Sequence, residues 1–143
     1  MLVSSVFAVV SVLISVVERI GENLEANCNV VFAYVYGSYA RGRAGRFSDL
    51  DIAVFLRDSG HESYMGLLSE LPVDVDIEID VRVLNDAPPL FRYNVIKEGV
   101  LLFVKDKGVH EEFVYDTLVS ALELRETLNR MREERLRRIL DAL

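Results

Sequence analysis

The sequence predicts an α/β (α+β) fold in which a small mixed β-sheet is packed by helices. Three observations predict it. Stretches with apolar residues every three to four positions take turns with short stretches that are wholly apolar or that alternate every second residue. The first spacing is that of one helix face and the second that of a strand, and interleaving the two builds layers of helix on sheet. The chain has 143 residues and is 51% hydrophobic, which suits one domain with one core and argues against disorder. One domain over 1–143 is therefore expected, with an N-terminal helix over 1–26, a core over 30–104 and a C-terminal helix over 110–143.

The first helix is expected over Leu2–Ala26. Its first seventeen residues are strongly apolar, yet four of them are serine, no Lys or Arg precedes the run and no small-residue cleavage site is evident. Ser4, Ala8, Ser11, Ser15, Glu18 and Glu22 share one helical face, so the segment reads as an amphipathic helix and not as a membrane span or export signal. A cytoplasmic protein without membrane contact is expected. After a turn at 27–29, Val30–Tyr36 (VVFAYVY) reads as a buried strand. Gly37–Ser48 holds three glycines and three arginines and reads as a turn and loop, with room for a short helix. Asp49–Leu56 alternates, with Asp49, Asp51, Ala53 and Phe55 on one face.

His61–Leu71 reads as a short helix. Val73–Leu84 alternates strictly and reads as the third strand. Its polar face carries Asp74, Asp76, Glu78, Asp80 and Arg82. Pro88 and Pro89 suit the first turn of a helix to Glu98. Val100–Val104 is the fourth strand, and a long helix runs from about His110 to Leu143. The helices are expected on one side of the sheet.

Net charge is −7. A general nucleic-acid binder needs a basic surface to displace counterions, so direct nucleic-acid binding is not expected. One cysteine, Cys28, allows no internal disulfide and reads as a small buried hydrophobe. With only His61 and His110 besides it, the usual zinc ligand sets are out of reach. Both histidines read as surface residues. Tyr34, Tyr36 and Tyr39 read as packing residues.

The segment with chemistry is GSYARGRAGRFSDLDIAVF, Gly37–Phe55. Gly-Ser ends one strand, and Asp-x-Asp opens the next after a ten-residue spacer. Carboxylates at i and i+2 of a strand point the same way, and hard oxygen ligands are what Mg²⁺ requires. Two such ions roughly 3.5–4 Å apart can clamp a triphosphate for in-line displacement. Gly37 lets phosphate approach the backbone, and Ser38 and nearby N–H groups can donate to it. Arg41, Arg43 and Arg46 add positive charge in the same loop. A third carboxylate is required, and the acidic strand offers Asp74, Asp76, Glu78 and Asp80.

These residues resemble the DNA polymerase beta-like nucleotidyltransferase superfamily, whose signature is Gly-Ser, a spacer, then Asp-x-Asp. GSYARGRAGRFSDLDIAV is similar to the minimal nucleotidyltransferase group, and VLNDAPPLFRYNVIKEGVLLF (Val83–Phe103) resembles the stretch after that group's third strand. The resemblance implies a polymerase beta-like fold and Mg²⁺-dependent transfer of AMP from ATP to a hydroxyl, with two ions. It makes Asp49 and Asp51 catalytic metal ligands and Gly37, Ser38, Arg41 and Arg46 nucleotide-binding. Counting back five from Asn85 assigns Asp80 as the third carboxylate, with Asp76 and Glu78 as alternatives. It also implies an antitoxin that pairs with an all-helical HEPN-domain toxin and adenylylates one of its tyrosines.

Two other functions fit the same motif: a binding-only antitoxin with a vestigial site, and a small-molecule transferase of the antibiotic-modifying kind. The complete motif disfavours the first. The second usually needs an extra helical domain for its acceptor. In the C-terminal helix, Glu126–Arg130, Glu133–Arg137 and Glu134–Arg138 are i, i+4 pairs, each worth about 0.2–0.5 kcal/mol on a solvated helix. Its irregular leucine stripe is also able to dock a partner or a second copy, so a homo-oligomer is admitted.

Overall fold

The computed structural model describes residues 2–40, 49–72 and 77–143. The element order is α1 (Leu2–Ala26), β1 (Val30–Tyr36), β2 (Leu50–Leu56), α2 (His61–Ser69), β3 (Ile79–Val83), α3 (Pro89–Glu98), β4 (Val100–Val104) and α4 (Lys107–Asp141). The strands form one mixed sheet in the order β3-β2-β1-β4. β1 pairs antiparallel with β2 and β4, and β2 pairs parallel with β3. No described helix is long and apolar enough to cross a membrane.

β1 lies inside the sheet, between β2 and β4, and carries no charged residue. Its residues from Val30 to Val35 are all buried. This overturns the expectation of helices on one side. A strand with two apolar faces needs cover on both. On one face Ile20 and Leu24 of α1 and Leu67 of α2 pack against Val35, Ile52, Val54 and Val81. On the other, Val95 of α3 and Phe113 of α4 pack against Phe32, Tyr34 and Ala53.

Several boundaries move. β2 begins at Leu50, so Asp49 stands just before it. β3 begins at Ile79, not Val73; residues 73–76, with Asp74 and Asp76, lie outside the described residues, and Glu78 precedes the strand. α2 stops at Ser69 because the Glu70 and Leu71 amides turn back onto the Leu67 and Leu68 carbonyls. α4 starts earlier than expected, since the Asp106 carboxylate accepts the Val109 N–H and caps it. Pro89 occupies the first turn of α3, as its fixed φ favours. The possible helix between β1 and β2, with Arg41, Arg43 and Arg46, falls outside the described residues. From residue 125 onward every α4 residue is exposed.

The segment after β3 locks the sheet's edge. The Asn85 side chain accepts the Leu56 N–H at 2.9 Å and donates to the Leu56 carbonyl at 2.8 Å, imitating one more strand pair. Arg92 Nε donates to the Leu84 carbonyl at 2.8 Å, and its Nη2 donates to the Asn85 carbonyl. Its guanidinium lies over the Phe113 ring. These bonds hold β3 in one register against β2.

Candidate active site

That register lines up the acidic residues. Tyr36 of β1 is the partner of Asp51 in β2, and Asp51 is the partner of Asp80 in β3. Neighbouring strands lie roughly 4.8 Å apart, so the three side chains form a row across one face. Asp51 and Asp80 are each partly buried, whereas Asp49 is exposed.

Gly37 closes the row at the end of β1. Its φ is +74°, a conformation that L side chains rarely adopt. A Cβ there would also collide with the Asp51 carboxylate. Sequence reasoning gave Gly37 the task of admitting phosphate; the fold adds that glycine makes room for Asp51 itself. Ser38 follows in the same turn, partly buried. The Tyr39 phenol is raised above its ordinary value by burial and by the Asp49 charge, which puts Asp49 near the same turn.

Arg82 is the residue that the motif does not mention. Its Nε stands 3.4 Å from Asp80 Oδ2, and its guanidinium lies 5.6 Å from the centre of the Phe91 ring. Phe91 in turn meets Tyr36 edge to face at 5.4 Å. The Tyr36 phenol is pushed up to about 12, first by burial and then by the Asp51 charge, with Asp80 adding and Arg82 opposing. Tyr36 therefore stays neutral near pH 7. The only sequence signal for Arg82 was its place as the one cation on the acidic face of that strand. Nothing in the pattern pointed to Phe91.

Asp51, Asp80 and Gly37 are thus brought together, with Ser38 and Asp49 at the adjoining turn. Arg41 and Arg46 are not described. Among the described residues no three carboxylate, histidine or cysteine side chains close on a single ion position. The donor set is nevertheless hard oxygen throughout, of the kind that suits Mg²⁺.

Two other residues differ from expectation. Cys28 is exposed, because it sits in the turn before β1 and not in the strand. His110 is partly buried, not a surface residue: α4 packs onto the sheet, and His110 Nε2 hydrogen-bonds Tyr34 Oη. His61 is exposed, as expected.

The family model for Polymerase beta nucleotidyltransferases matches residues 18–108. No curated protein matches significantly. Among solved structures, a chain of a toxin–antitoxin complex with AMP-PNP superposes with a TM-score of 0.68 at 24% identity, over 82% of this chain and 96% of that one. A chain of the tri-AMPylated Shewanella oneidensis HEPN toxin in complex with MNT antitoxin gives 0.60 at 20% identity, over 85% and 93%. A chain of the toxin–antitoxin MntA-HepT gives 0.60 at 20%, over 80% and 92%.

Proposed function

The chain belongs to the Polymerase beta nucleotidyltransferase family, and on that premise we propose that it transfers AMP from ATP to a tyrosine hydroxyl of a HEPN-type toxin, and so acts as an antitoxin. The observation that carries this is the register match of Asp51 with Asp80 beside the positive-φ Gly37. It supports Asp80 over Asp76 and Glu78 as the third carboxylate. The structural likeness to chains from toxin–antitoxin complexes, one of them with an AMPylated toxin, supports the acceptor class.

Each residue then has a task. The Gly37–Ser38 turn receives the triphosphate through backbone N–H groups and the Ser38 hydroxyl. Arg41 and Arg46 neutralise phosphate charge. Asp49, Asp51 and Asp80 are the ligands for two Mg²⁺ ions. When bound, those ions supply charge neutralisation for the triphosphate and the departing pyrophosphate. The acceptor oxygen bonds to the α-phosphorus, the bond from that phosphorus to the bridging oxygen breaks, and pyrophosphate leaves. The acceptor's proton passes to Asp80. Tyr36, its phenol raised by burial and the Asp51 charge, stands beside Asp51 in the row.

Incubating the protein with α-labelled ATP and Mg²⁺, with and without a co-encoded all-helical partner, tests the proposal. Label on a partner tyrosine is the expected result. Toxin neutralised with no label transferred would instead favour a binding-only antitoxin.

A further inference from the structure

Among the described residues β3 is the outer strand, so Asp80 stands at a sheet edge that no other described strand covers. Two adjoining cavities of about 410 and 560 Å³ flank that edge and share Ser59, Arg82 and Val83. Each has the size of an ordinary ligand pocket, roughly 300–1,000 Å³. Asp80 and Tyr64 line one; Pro88 and Phe91 line the other.

The backbone of that edge has a fixed polarity. The Glu78 carbonyl accepts from Leu50 N, and Leu84 N donates to the Val54 carbonyl, so residues 78 and 84 face β2. By the period of two, residues 79, 81 and 83 turn their backbone groups outward. The Tyr64 hydroxyl already donates to the Val81 carbonyl at 3.0 Å. Val83 faces the groove where the two cavities meet. Beside it the Arg82 guanidinium stands over the Phe91 ring and meets the Asp80 carboxylate.

We propose that this groove is the acceptor site: an extended peptide pairs with the outer edge of β3 at Val83 and lays its tyrosine against Arg82 and Phe91, with its hydroxyl toward Asp80. The inference rests on the transferase reading above and adds where, and in what conformation, the acceptor binds. Three features select an extended peptide. The groove follows a strand edge with outward backbone groups, which is how strand addition recognises a main chain. One wall is aromatic and apolar, suited to a phenol ring. At the other, a guanidinium supplies a donor for a phenolic oxygen within reach of the row Tyr36–Asp51–Asp80.

The probe is a fluorescent decapeptide with one central tyrosine, measured by anisotropy against the whole protein and its variants. Val83→Pro removes the outward N–H without removing a bond to β2, and Arg82→Gln removes the guanidinium; circular dichroism checks the fold of both. In each folded variant peptide affinity should fall about tenfold, the loss of one good hydrogen bond, while in Val83→Pro ATP affinity stays unchanged. The acceptor KM in AMP transfer should rise by the same factor, with kcat for bound acceptor nearly kept in Val83→Pro. Should Val83→Pro not fold, Arg82→Gln carries the test alone. Wild-type peptide affinity retained by the folded variants would overturn the groove while leaving the transferase reading intact. If the wild-type protein moves no label to any acceptor, that reading falls, and the acceptor assignment falls with it.

Discussion

β1 and β3 belong to the same sheet and have opposite composition. β1 is buried along nearly its whole length and carries no charge. β3 stands at the edge, with Val81 buried and Asp80 and Arg82 turned to one face. Where an inner strand is also covered on both faces, as β1 is from Val30 to Val35, its side chains serve as support. A strand at the edge has one free side, and charges there stay solvated until a ligand arrives. The division implies that damage to β1 costs stability and damage to the β2–β3 row costs chemistry.

The sharpest way to break that division is Asp51→Asn. The change keeps size and polarity but removes a metal ligand. AMP transfer should fall by about a thousandfold, since a clamp on the triphosphate is worth several kcal/mol of transition-state stabilisation. The unfolding free energy should move by less than about 1 kcal/mol, as expected for a polar replacement outside the core. Asp80→Asn should match it, while Asp74→Asn should be nearly silent. Transfer assays and denaturant melts on the three variants check this. An active Asp80→Asn enzyme would show that the register pair is not the catalytic pair.

The converse variant is Phe32→Ala. Phe32 is fully buried and stacks on Phe55 at 5.0 Å between ring centroids. Its loss should destabilise the protein by about 3–5 kcal/mol, measured by urea unfolding. The folded fraction should keep its specific activity at low temperature. If that activity collapsed as well, the central strand would be part of the site and the division would fail.

Most of this division was readable from residue order alone. The seven apolar letters of β1 marked a buried strand, and Gly-Ser followed by Asp-x-Asp marked the turn and the next strand's start. What was not readable needed pairing. The alternation of 73–84 gave four carboxylates on one face, and period alone does not choose among them. Only the lateral match with β2 sets Asp80 opposite Asp51, and that match depends on Asn85 and Arg92 gripping the ends of β2 and β3. Arg82 over Phe91 joins a strand to a helix across nine residues, a contact no local pattern encodes. The second layer of helices was missed because local periodicity shows that a helix is amphipathic, not which face of the sheet it covers.

Gly37 is where the two strands' tasks meet, so Gly37→Ala should show a mixed defect. Placing a Cβ at φ +74° costs about 1–2 kcal/mol, and the new methyl must displace the Asp51 carboxylate. A modest drop in melting temperature together with a larger drop in transfer is the expected outcome. A pure stability loss would mean that the Asp51 position is not critical.

The smallest effect should come from the polar contact that β1 makes with α4. Tyr34 Oη and His110 Nε2 are hydrogen-bonded against the rings of Phe32 and Phe113. Burial lowers the His110 imidazole below its ordinary 6.5, only partly opposed by Glu111, so the folded state holds it neutral. The unfolded chain then takes up the proton first as pH falls. This contribution is fully present above pH 6.5 and is lost as pH drops from there toward the folded value. The ring is only partly buried, so the loss should stay below about 1 kcal/mol. Urea melts of wild type and His110→Gln at pH 8 and pH 5.5 isolate it, because the other titrating groups cancel in the difference. Wild type should lose more stability on acidification than the variant does. The same acid sensitivity in both proteins would show that His110 titrates freely and that α4 does not hold its ring against β1.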